Sequence, residues 1–161
     1  MRHPMKIKLL FTGKTDTHYL EEGISDYLSR LKQYTRVEVH EVKIPRQWNA
    51  LPADQRKERE GQLILKHLGA GDECILLDER GRSFSSVKFA AFLAEKMQRG
   101  TKTLAFVVGG PWGFSPALYH KASMQLSLSS MTFSHQMVRL FFTEQLYRAY
   151  TILRGEPYHH G

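Results

Sequence analysis

At 161 residues the chain has the length of one ordinary domain, enough for a real hydrophobic core and too little for two comfortable ones. A formal net charge of +7 and a pI near 9.6 favour a polyanionic partner, nucleic acid first, while one cysteine excludes both a disulfide framework and a cysteine-rich metal site. The amino end has too short an apolar core for a secretory signal and no stretch reaches membrane-spanning length, so the expectation is a cytoplasmic protein with no membrane partner.

The strand pattern begins at Met5. The first four residues add nothing to it and read as a disordered or non-native extension of a single domain spanning 1–161. Residues 5–12 alternate charge with aliphatics and then turn wholly apolar, the pattern of a first strand ending at Thr12 and Gly13. Asp16 or Thr17 can cap the next helix, where Tyr19, Leu20, Ile24, Tyr27, Leu28 and Leu31 recur at helical spacing. Residues 36–44 alternate around Val37, Val39 and Val42 as a half-buried strand that Pro45 stops.

After a loop at 46–52 comes a helix whose mixed-sign run RKERE (56–60) precedes an apolar face at Leu63, Ile64, Leu65 and Leu68. Such a run reads as a solvated face, and no RNA contact is assigned to it. Residues 73–78 form a short buried strand holding Cys74, followed by a basic turn, DERGRS (78–83). The helix at 85–99 turns Val87, Phe89, Ala90, Phe92, Leu93 and Met97 inward, and Gly100 closes it.

The stretch 104–115, LAFVVGGPWGFS, runs from an apolar strand into a glycine-rich turn, and Ser115 with Pro116 reads as an N-cap followed by a first-position proline. A short helix at 116–122 and a strand at 124–128 follow. Strands alternating with helices define an α/β fold with a mainly parallel sheet. Ligands of such sheets sit at the carboxyl ends of strands, which makes the Gly109-Gly110 turn a ligand wall, although Gly-Gly-Pro also serves simply to reverse a chain. The last helix, 135–153, carries an apolar line at Val138, Phe142, Leu146, Ala149 and Leu153. Met137, Phe141 and Tyr147 lie around from that line, a surface wide enough to imply a second copy of the chain as partner.

Between 96 and 143 there is no acid, so the carboxylate that a dinucleotide-binding unit places on a ribose is missing. The phosphate loop with Gly-Lys-Ser/Thr is missing too. No serine sits in a nucleophile elbow, and the eight histidines follow no metal-ligand spacing. His135, four residues before Arg139 on one helix face, is a candidate pair for a phosphate or a base, with an ordinary helix-start histidine as the alternative. The loop 126–134 offers many backbone donors and acceptors, suited to an adenosyl ligand; otherwise it is a capping region in which Ser134 or Thr132 is the cap.

The segments VGGPWGFS (108–115), LSLSSMTFSHQMVR (126–139), EQLYRAY (144–150) and RGEPYH (154–159) resemble those of the small bacterial large-subunit ribosomal RNA pseudouridine methyltransferases of the SPOUT superfamily. The resemblance implies a sheet with helices on both faces and a carboxyl-terminal trefoil knot. It implies a homodimer that methylates the imino nitrogen at position 3 of a pseudouridine in large-subunit ribosomal RNA within the ribosome, with S-adenosylmethionine as co-substrate and no metal. Carried onto this chain, the methyl donor meets Leu77, Gly109, Leu128, Ser129, Ser130, Met131, Thr132 and Phe133. His135, Arg139, Arg154, Tyr158 and His159 are the candidates for the chemistry. Lys14, Arg80, Arg82 and Lys121 would meet RNA phosphates, and Trp112 would stack on a base. The alternative is a non-catalytic RNA-binding module with the same fold.

Overall fold

The computed structural model describes residues 4–161; Met1, Arg2 and His3 of the expected extension lie outside the described residues. Five strands alternate with helices: β1 (Lys6–Thr12), α1 (His18–Leu31), β2 (Val37–Val42), α2 (Ala53–Lys66), β3 (Asp72–Ser83), α3 (Ser86–Gln98), β4 (Thr103–Val108), α4 (Pro116–Lys121), β5 (Met124–Ser127) and α5 (His135–Arg154). A single 3-10 turn, Arg46–Ala50, leads into α2. The sheet order is β2-β1-β4-β3-β5 and every pairing is parallel.

Side chains alternate across this sheet, so its two faces fill two cores. Ile7, Leu9 and Phe11 of β1 and Phe106 of β4 pack with Ile24 and Leu31 of α1, Phe89 and Leu93 of α3, and Phe142 and Leu146 of α5. Leu10, Leu76 and Val107 face the other way, onto Ile64 of α2 and Phe114 and Leu118 of the α4 region. Burial on both faces explains why the central strands read as continuous apolar runs.

The serine caps are as the sequence suggests. Ser115 Oγ accepts from the Leu118 amide at 3.3 Å and Ser134 Oγ from the Met137 amide at 3.1 Å, fixing where α4 and α5 begin. Thr17 occupies the N-cap of α1 but makes no cap bond, because its hydroxyl donates to Asp16 Oδ1.

β3 departs from the sequence reading. The segment expected as a basic turn after Asp78 continues as strand to Ser83, with a register shift between Leu77 and Arg82 against β5. Main-chain pairing with β5 rather than side-chain burial carries this half. A Cβ on Gly81 would lie 2.6 Å from the Gln125 carbonyl carbon, so only glycine lets the two backbones approach.

Candidate functional site

The carboxyl ends of β3, β4 and β5 open onto one cavity of about 530 Å³. Its walls come from three separate segments: Leu77 to Arg80 within β3 at its register shift, Val108 to Phe114 at the end of β4, and Leu126 to Val138 around the loop before α5. The volume lies within the range of roughly 300–1,000 Å³ usual for small-molecule sites.

The glycine turn is a built element. Gly113 N donates to Gly110 O at 3.2 Å, closing a four-residue turn with Pro111 second and Gly113 last. No non-glycine residue in the described chain has positive φ, so Trp112 excludes a type II turn and the reversal is of the type I kind that this proline and glycine placement favours. Gly109 turns its open side to Phe114, whose ring lies 3.0 Å from where a Cβ would be. A side chain there would push the turn off α4.

The loop 128–134 supplies polar edges. Met131 N is held by Ser129 Oγ at 3.0 Å, and Thr132 Oγ1 donates to Glu79 Oε2 at 2.7 Å, which ties the loop to the β3 wall. Asp78 accepts from Tyr119 Oη and from the Arg80 amide. Ser130, Thr132 and Phe133 take no part in backbone–backbone hydrogen bonds among the described residues, leaving their amides and carbonyls available to a ligand. Of the residues expected around a methyl donor, Leu77, Gly109, Leu128, Ser129, Met131, Thr132 and Phe133 all line the cavity; Ser130 sits exposed in the same loop. Apolar walls beside unused main-chain groups fit an adenosyl group.

His135 opens α5 inside this cavity. Burial holds its pKa below the ordinary 6.5, the nearby Arg139 charge pushes the same way, and Asp16 opposes them. The ring is therefore neutral at pH 7 and able to accept a proton. Arg139 has a different place from the one its spacing suggests: its side chain is fully buried and absent from the cavity wall. Its Nη2 donates to Thr12 O at 2.7 Å and its Nη1 to Gly13 O at 2.9 Å and Thr15 Oγ1 at 3.0 Å, while the guanidinium lies 5.0 Å from the Phe11 ring centre. It fastens α5 to the end of β1.

The remaining candidates gather elsewhere. Tyr158 Oη donates to Glu144 Oε2 at 2.8 Å, Arg148 Nη2 donates to the same oxygen at 3.0 Å, and Arg148 Nη1 meets His159 Nδ1 at 3.0 Å. Arginine only donates, so His159 Nδ1 accepts and its ring proton is on Nε2. Burial, and then the Glu144 carboxylate, raise the Tyr158 pKa, so its hydroxyl keeps its proton. Arg154 is exposed, with its guanidinium 5.2 Å from the Tyr34 ring. Arg148 lies thirteen positions after His135, about 20 Å along the helix at ~1.5 Å per residue, so one chain does not bring the two groups together. Arg148 and Glu144 escaped the sequence reading. Their signal was the i, i+4 acid–base pair in EQLYR, which ordinary solvated helices also show.

Arg80 stands at the cavity rim, while Arg82 covers the Phe84 ring at 4.7 Å, and Lys14 and Lys121 are exposed. Trp112 is 44% exposed at the cavity mouth. Among the described residues no cluster of three or more potential metal ligands occurs, and no helix is long and apolar enough to cross a membrane.

A three-segment cavity at one edge of an all-parallel sheet, walled by a glycine turn and a serine-rich loop, is a small-molecule site of a kind that group-transfer enzymes use. The family described as predicted SPOUT methyltransferases matches residues 5–159, and the chain belongs to it; the protein is a methyltransferase. It is 54% identical over 156 residues to the ribosomal RNA large subunit methyltransferase H of Flavobacterium johnsoniae, covering 97% of this chain and 99% of that protein. The proteins of the same name from Porphyromonas gingivalis ATCC 33277 and Parabacteroides distasonis are 51% and 52% identical, each with the same coverage.

Proposed function

We propose that the protein methylates the imino nitrogen at position 3 of a pseudouridine in large-subunit ribosomal RNA, working in the cytoplasm as a homodimer with S-adenosylmethionine in the cavity described above. The single observation that carries this reading is the convergence of Leu77, Gly109 and the loop residues Leu128, Ser129 and 131–133 on one cavity with unused main-chain groups.

Bound there, S-adenosylmethionine supplies an electrophilic methyl group on a sulfonium, with a neutral thioether as leaving group. Leu77, Val108, Leu128 and Phe133 would cover the adenine, and the free amides and carbonyls of Ser130, Thr132 and Phe133 would take its edge and the ribose. The chain must then hold the base in line with the methyl and lower the cost of removing the imino proton. His135, neutral and inside the cavity, accepts that proton. The positive charge and N–H donors that stabilise the resulting anion belong to Arg148 and His159 at the far end of α5, where Tyr158, its hydroxyl already donating to Glu144, holds the group in place.

Both groups serve one reaction if two copies pack through α5 in opposite directions. Phe141, at 37% exposure, stands on the side of α5 that packing against α1 and α3 does not cover. The knotted threading belongs to the same proposal. It is supported by the path after edge strand β5, which crosses the ends of β3 and β4 so that Arg139 reaches Thr12 on β1.

Calorimetric titration with S-adenosylmethionine tests the cofactor half: folded protein that binds none leaves the non-catalytic module standing. Co-expression of two variants, one altered at His135 and one at Arg148, tests the shared site. Mixed dimers that regain activity support it, and none regained by verified mixed dimers refutes it.

A further inference from the structure

Beside the cavity, α2 carries a feature that methyl transfer itself leaves unused. Glu60 is only 3% exposed, wedged between α2 and the glycine turn, and a Cβ on Gly110 would stand 3.5 Å from its Oε1. Its Oε2 accepts from Arg56 Nε at 3.0 Å. A carboxylate buried at this cost is held by its pairing, and the pairing fixes the Arg56 guanidinium in turn. That guanidinium lies 5.5 Å from the centre of the Trp112 ring, the indole exposed at the cavity mouth. Nε alone of its nitrogens is hydrogen-bonded among the described residues, which leaves the Nη groups as donors.

One turn further along α2 the arrangement repeats. The Arg59 guanidinium lies 5.9 Å from the Trp48 ring, and Arg59 is exposed. At about 100° per residue Arg56 and Arg59 share a side of the helix, whereas Asp54 and Glu58 fall about 160° around from Arg56. The mixed-sign run is thus sorted by the fold: acids outward or buried, and the two arginines on one side of the helix, Arg56 against the indole at the cavity mouth.

We propose that this ladder binds the single-stranded RNA flanking the target nucleotide, with a neighbouring base stacked on Trp112 and the adjoining phosphates held by Arg56 and Arg59. The proposal rests on the reading of the protein as an RNA methyltransferase and adds where the strand runs. An exposed indole beside guanidiniums with free N–H edges matches the alternation of base and phosphate in an unpaired strand. Its position at the cavity mouth places the contact next to the nucleotide that enters.

The test uses the full-length protein with R59Q, R56Q and W112A, and two probes: a labelled single-stranded RNA oligonucleotide, and large ribosomal subunits from cells lacking the gene. R59Q and R56Q are expected to weaken oligonucleotide binding severalfold and to lower the salt slope of log Kd by ~0.7 each, the single-strand value per phosphate contact. W112A is expected to weaken binding about tenfold, within the range of a lost base–aromatic stack. On subunits the loss should fall on KM rather than kcat, with donor affinity of R59Q unchanged. Because R56Q strands Glu60, the double variant R56Q/E60Q repeats the measurement with a neutral pair. Folded R59Q and R56Q/E60Q that bind the oligonucleotide with wild-type affinity and salt slope overturn the proposal. Wild-type protein that binds the oligonucleotide through the ladder yet transfers no methyl to subunits refutes the methyltransfer reading instead.

Discussion

Replacing Arg139 by leucine removes the clamp between α5 and the end of β1. Three hydrogen bonds go at once, to Thr12 O, Gly13 O and Thr15 Oγ1, at 2.7 to 3.0 Å. Each charge-assisted bond is worth about 1.5–3 kcal/mol net, and the two carbonyls left behind face an apolar neighbour without a donor. Against this stands the relief of desolvating a guanidinium: burial lowers the Arg139 pKa, with Glu41 and Asp16 opposing. Breaking a buried charged network by removing one partner typically nets about 3–5 kcal/mol of destabilisation. For a chain of 161 residues each kcal/mol moves the melting temperature by about 2–4 °C. The expected fall for R139L is therefore roughly 6–20 °C in a calorimetric scan at fixed protein concentration. A melting temperature within about 2 °C of wild type, below the shift of a single kcal/mol, would refute a structural role for this residue.

Gly81→Ala sets a Cβ 2.6 Å from the Gln125 backbone, which has no flexible side chain to yield, so β5 must shift. The expected result is weaker donor binding by calorimetry together with a lower melting temperature, and an unchanged pair of values contradicts it. His135 should titrate below 6.5 when followed by its ring proton resonances. Between its folded and unfolded pKa values the unfolded chain binds the extra proton, so stability rises with pH across that window and the full cost applies below the folded value. A midpoint at or above 6.5 would show that the ring is not buried as described. Phe141→Asp puts charge on the uncovered face of α5 and is expected to give monomers with little activity; light scattering that still reports dimers refutes that face as the interface.

Much of the site was legible in local signals. The apolar runs of β1, β3 and β4, the caps at Ser115 and Ser134, and the Gly-Gly-Pro turn are written in residues a few positions apart, and all stand where the pattern puts them. What was not legible depends on contacts distant in sequence. Helical spacing places His135 and Arg139 on one face, but the β1 end, more than 120 residues earlier, draws Arg139 inward while His135 stays in the cavity. Tyr147 reads as surplus apolar surface until Tyr27 and Tyr34 on one side and Tyr158 of the tail on the other are seen to cover it. That tail fold also creates the Arg148–Glu144–Tyr158–His159 group, which no local spacing announces. Residues 78–83 look like a turn because they are charged and contain glycine; an edge partner makes them strand. The RKERE run reads as solvated because its sorting depends on Gly110 and Trp112, some fifty residues away.

The most direct test of methyl transfer to ribosomal RNA is a single-turnover assay. Purified protein, isotopically labelled S-adenosylmethionine and large subunits from cells lacking the gene are combined, and the digested RNA is examined by mass spectrometry. The expected result is one labelled methyl per subunit, on the N3 position of a pseudouridine and abolished by Gly109→Leu, whose side chain meets Phe114 and displaces the glycine turn from the cavity wall. A digest with no labelled pseudouridine, from protein shown to be folded and to bind the donor, would contradict it.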